Sequence, residues 1–172
     1  MVLSEPMRRL RGIVTGGALT TLATLVALLV PLAACGPSAD QQQADREAIQ
    51  KLLEGYLPAL SNAYATGEVE GLAPYAAQKE VLSTKKRIDD LAKEGRELRP
   101  AFKQFTVEQV DRYQHSNAYV KTVETWDLRV FAAGSDRQIS EQLDQHSRVT
   151  YQLKRTDDGW QILYRQLVQS RP

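Results

Sequence analysis

The stretch "VTYQLKRTDDGWQIL", residues 149–163, decides how the second half of this chain is read. Val149, Tyr151 and Leu153 alternate with Thr150, Gln152 and Lys154. That period of two puts one face of a strand in a core and the other in water. Asp157-Asp158-Gly159 punctuates it, because an acidic residue followed by glycine between two alternating runs is a strong hairpin signal. Beyond the turn, "WQILYRQLVQ" carries Trp160, Ile162 and Tyr164 on one face of a partner strand.

Upstream, "AYVKTVETWDLRVFAA", residues 118–133, also alternates. Val120, Thr122, Glu124, Trp126, Leu128 and Val130 share the face expected to be buried, and Lys121, Asp127 and Arg129 share the other. "GSDRQ" is a turn. "FTVEQVDRYQ" after Pro100 reads as the first strand of the set. His146 falls with Arg148 and Thr150 on the outward face of the third strand, and His115 sits near a turn in "RYQHSN".

Before Pro100 the period is three to four. Ile49, Leu52, Leu53, Tyr56, Leu57, Leu60 and Tyr64 form one apolar helical stripe, with Asp45, Arg46, Glu47, Lys51 and Glu54 on the polar side. Gly55 and Pro58 lie inside this helix, and a bend is expected near Pro58. Gly67 ends it. Pro74 splits the following segment, whose apolar positions are Leu72, Tyr75, Val81 and Leu82, into a short piece and a new start, and Ile88, Leu91 and Leu98 mark a third helix ending near Gly95. Lys85, Lys86 and Arg87 read as a solvated face paired with Asp89, Asp90 and Glu94 rather than as an anion site. Helices first and strands after predict an α+β domain. Its N-terminal helices pack on a curved, roughly four-stranded antiparallel sheet.

The N-terminus is of another kind. Arg8, Arg9 and Arg11 precede a run without charge that lasts until Asp40. Such a run is an export signal or a membrane anchor, and either places the rest of the chain outside the cytoplasm. Leu32-Ala33-Ala34-Cys35 resembles the bacterial lipobox and decides for a cleaved lipoprotein signal. Cys35, the only cysteine, would become the lipidated first residue of the mature chain. Buried acyl chains contribute about 0.8 kcal/mol per CH₂, so more than one holds a domain stably. The expected organisation is a signal at 1–34, a lipidated cysteine and polar tether at 35–43, and one domain at 44–172. Cleavage removes three arginines and Glu5, so the formal charge of +1 belongs to the leader and falls to −1. Neither nucleic acid nor a polybasic contact with lipid is expected of such a domain.

The order of elements, with "AYVKTVETW" and "RVTYQLKRTDDGWQI", resembles the cone-shaped nuclear transport factor 2-like superfamily. Within it, the tail is similar to bacterial extracytoplasmic domains of the IMS type, which also occur in plastid-division proteins. The matching residues are Tyr151, Leu153, Asp158, Gly159 and Trp160. The resemblance implies a concave pocket between sheet and helices, with Glu124, Trp126 and Tyr151 as candidates to line it. It also implies that a homodimer through the sheet, or a protein partner, is open to such a domain.

Glu124 is the one candidate for chemistry. Desolvated on an inward face, it would serve as a general base in an isomerase- or dehydratase-like enzyme. Otherwise it sits at the pocket mouth or pairs with an arginine, and the sequence favours this second role. Asp127 is expected to be solvated. Neither histidine has an acidic partner at a useful pitch, and two scattered histidines with one cysteine suggest no metal site. No phosphate loop or nucleophile elbow is present, so no cofactor is expected. The expected function is a membrane-anchored binding or scaffolding module at the cell envelope, without catalysis.

Overall fold

A computed structural model describes residues 38–171. The signal segment and Cys35 lie outside the described residues. Helix α1 spans Ala39–Thr66 and α2 spans Gln78–Lys93, joined through a 3₁₀ turn at Glu70–Leu72. Four strands come after them: β1 (Arg96–Tyr113), β2 (Asn117–Ala132), β3 (Gln138–Thr156) and β4 (Gly159–Arg171). They form one antiparallel sheet in the order β1-β2-β3-β4, the meander that short turns produce. The expected fold class is borne out.

α1 forms because its stripe is continuous and both ends are capped. The Ser38 hydroxyl accepts the Gln41 amide at 3.2 Å, and Gly67 closes the helix at φ 80°, donating its amide to the Ala63 carbonyl. These are the usual N-cap and left-handed C-cap devices. The helix runs unbroken through Pro58. Ile49, Leu53, Tyr56, Leu57 and Leu60 are buried against Val120, Val149, Tyr151, Leu153 and Ile162 of the sheet.

Four expectations are corrected by the fold. Within the span 35–43 expected as tether, residues 39–43 are helical, because the Ser38 cap starts α1 at Ala39. Val81 and Leu82 share the single helix α2 with Ile88 and Leu91, rather than lying in a separate helical piece. Leu98 belongs to β1, which begins at Arg96 and takes Pro100 into its pairing with Leu128. Tyr164 does not share a face with Trp160 and Ile162. Gln152 pairs with Tyr164 but Leu153 pairs with Ile162, so Leu163 is an extra residue that turns over the side chains after it. Tyr164 is therefore 40% exposed.

Candidate functional site

Alternation along β2 sends Thr122, Glu124 and Trp126 to the helix side of the sheet, and all three are buried. Glu124 is 0% exposed. Its Oε1 accepts the Thr122 hydroxyl at 3.0 Å and the Tyr151 hydroxyl at 2.5 Å. Its Oε2 accepts the Trp126 indole N–H at 2.9 Å and Arg165 Nη2 at 2.9 Å. A carboxylate has about four lone-pair sites, and here each is taken. Glu124 is the arginine-paired residue of the two expected roles, but inside the domain and away from the mouth.

Arg165 reaches it because the bulge at Leu163 turns the end of β4 inward. The guanidinium also donates from Nε to the Tyr151 hydroxyl at 3.3 Å. Burial works against its charge, but Tyr151 and Glu124 facing it hold its pKa above the usual value. Burial first and Glu124 second push the Tyr151 phenol well above its ordinary range. Burial and then Glu80 do the same for Tyr56. The two phenols therefore stay neutral donors at physiological pH.

Tyr56 packs edge-on against Tyr151, ring centres 6.1 Å apart, and donates to Glu80 at 3.3 Å. Glu80, also 0% exposed, is the mirror of Glu124 on α2. It accepts the Thr84 hydroxyl at 3.2 Å, Arg87 Nη2 at 2.6 Å and the backbone amide of Arg165 at 3.2 Å. Arg165 thus links the two carboxylates, one through its side chain and one through its backbone. Arg87 leaves the solvated lysine row for this purpose, while Lys85 and Lys86 pair with Asp89 and Asp90 as expected.

A third buried carboxylate lies on α1. Asp45, expected on the polar side, is 2% exposed. It holds Arg112 of β1 at 2.6 Å and Arg155 of β3 at 2.7 Å, and accepts the Trp160 indole N–H at 3.3 Å. Asp127 is not simply solvated either. A bulge beside it lets it accept the Asp144 amide at 2.9 Å and pair with Lys103 at 2.9 Å. Lys103 first, then that amide, hold its carboxyl below the usual range.

Of several clefts on the domain, the one bordered by the Glu124 partners Trp126 and Arg165 lies where the strands reach the far end of α1. A cavity of about 160 Å³ is lined by Leu60 and Tyr64 of α1, Leu98 and Pro100 of β1, Trp126 and Leu128 of β2, Ser147 of β3, and Arg165 and Leu167 of β4. Drug-sized ligand pockets run to roughly 300–1,000 Å³, so this cleft takes one or two apolar side chains or a short acyl segment. Of the three residues expected at the pocket, Trp126 lines it, while Glu124 and Tyr151 lie buried away from its lining. His146 points outward as expected, its Nδ1 3.2 Å from the Thr125 hydroxyl, and His115 is exposed in the β1–β2 turn. Among the described residues no three His, Cys, Asp or Glu side chains gather as a metal site would require.

Among solved structures, the intermembrane space region of the chloroplast protein ARC6 superposes with a TM-score of 0.58 at 13% identity. The match covers 76% of this chain and 98% of that one. What the two share is the fold: helices packed on a curved, four-stranded antiparallel sheet. Looser likenesses include a ketosteroid isomerase-like protein from Erwinia carotovora atroseptica, with TM-score 0.47, 10% identity and coverage of 72% and 95% of the two chains. A periplasmic fragment of TraM gives TM-score 0.49, 12% identity and coverage of 73% and 96%. At these identities the likeness is one of fold. No family model and no curated protein matches the chain.

Proposed function

We propose that this chain is an extracytoplasmic lipoprotein, anchored through Cys35, whose cone domain is a binding module rather than a proton-transfer enzyme. The observation that carries this reading is the saturation of Glu124. An enzyme of the isomerase or dehydratase type needs an acceptor with a free lone pair facing its substrate. Glu124 offers none, and the carboxylates nearest in character, Glu80 and Asp45, are held by arginines and an indole in the same way. The small apolar mouth stays open, with Leu167 52% exposed at it. That is the form of a site which grips an apolar group.

The envelope address rests on the lipobox and fits the likeness to ARC6, whose similar part is an intermembrane space region. Among the described residues no helix is long and apolar enough to cross a membrane. The test is crosslinked capture from the protein's own envelope, comparing the native chain with Leu167→Arg, which puts a charge in the mouth. A bound species captured by the first and lost with the second supports the reading. Capture that is indifferent to Leu167 contradicts the mouth as its site.

A further inference from the structure

We infer that the anchored domain stands with its mouth pointing away from the membrane, so that whatever enters the mouth arrives from the aqueous side. This rests on the proposed lipid at Cys35. Cys35 precedes the helix cap at Ser38 by three residues, a reach of no more than about 11 Å even when fully extended. The start of α1 is therefore held close to the bilayer.

The fold fixes what lies at that end. Asp45 ties the first turns of α1 to Arg112 at the end of β1, Arg155 at the end of β3 and Trp160 at the start of β4. The β1–β2 turn with His115 and the β3–β4 turn with Asp157 and Asp158 are thus at the membrane end. The mouth is at the other. Tyr64, on its rim, lies about 29 Å along the helix from Asp45 at 1.5 Å per residue. There, too, the β2–β3 turn meets the start of β1, where the Ala133 amide donates to the Gly95 carbonyl at 3.0 Å.

Exposed apolar residues are concentrated away from the lipid end: Ile139 and Leu143 stand at the start of β3, and Leu167 and Val168 in the second half of β4. The outward side of α1 shows Gln43, Glu47, Gln50, Lys51 and Glu54, all exposed. It lacks the large apolar residues with which an interfacial helix enters the headgroup layer. The outer sheet face mixes Lys121 and Arg148 with Glu108 and Asp111, so an anionic surface does not draw it in. The membrane end mixes the exposed acids Asp157 and Asp158 with the exposed bases Arg46 and Lys154, while Arg112 and Arg155 pair with Asp45. Mixed charge gives this end no net pull toward an anionic surface, so the acyl chains supply the attachment.

The test labels the full lipidated protein in liposomes with a thiol-linked fluorophore at Asp158→Cys or Ser135→Cys. Acylation occupies Cys35, so each introduced cysteine is the only free thiol. A quencher carried on lipid headgroups should dim the Asp158 label several-fold more than the Ser135 label. A 20-residue Gly/Ser insert after Gly36 reaches about 25 Å and should erase the difference. Equal quenching without the insert, or a difference that survives it, overturns the orientation while leaving the anchor standing. A chain that carries no lipid and stays free of the liposomes overturns the anchor and the orientation with it.

Discussion

Glu124 and Arg165 are more costly to separate than to keep. Removing one partner of a buried ion pair leaves the other charged without compensation and typically costs about 3 kcal/mol or more. Glu124→Gln and Arg165→Met should each lower stability by that amount in urea unfolding. The double variant should cost less than the sum, since neither charge is then stranded. Tyr151 adds a pH signature. Its folded pKa lies well above the ordinary 10.0, so above pH 10 the unfolded chain releases the phenolic proton while the folded chain keeps it. Stability is then full below pH 10 and falls as pH rises beyond it. Tyr151→Phe should weaken the alkaline decline of the melting temperature, at a cost at neutral pH from its lost bond to Glu124. An unchanged alkaline limb would mean that the folded chain does not hold the Tyr151 proton. Glu124 was legible in the sequence by alternation alone. Arg165 was not, because a strict period of two places it opposite Trp160 and Ile162, and the bulge that reverses it has no mark in "QILYRQ".

At the scale of elements, the buried acids on the helices lie on the apolar pitch, although the sequence reading placed Asp45 on the polar side. Asp45 stands four residues before Ile49, on the apolar stripe of α1, and Glu80 and Thr84 continue to Ile88 at the same pitch on α2. A polar residue on such a stripe is a demand for a partner, and arginines from distant strands meet it at Asp45. α2 buries fully only Glu80 and Thr84, so its seat depends on polar bonds more than on apolar area. Glu80→Gln should speed amide exchange across α2 more than across α1, measured by mass spectrometry. Gly55 has a similar logic. A Cβ there would lie 2.3 Å from Tyr75 Cε1, so this glycine is the space the incoming loop occupies. Gly55→Ala should gain about 1 kcal/mol of helix propensity but lose more to overpacking, which costs roughly 1–3 kcal/mol. In a Tyr75→Leu background the same change should be neutral or stabilising by thermal melting.

For the whole molecule, hydrophobic period and turn chemistry gave the class and order of elements, because both are local. The ends of elements were less legible. Gln41, Gln42 and Gln43 look like tether until Ser38 is recognised as a cap, and "RELRP" looks like the end of a helix until β2 pairs with it. The mouth's small volume depends on packing among five elements, which no local pattern carries. The proposed anchor requires that the mature chain begin at a lipidated cysteine. Intact-mass and peptide mass spectrometry of the protein taken from its own membranes tests this most directly. The N-terminal residue should be Cys35 carrying a diacylglyceryl group, with residues 1–34 gone, and Cys35→Ser should leave a chain that is neither acylated nor retained. A mature protein that keeps residues 1–34, or that starts at an unmodified Cys35, would contradict it.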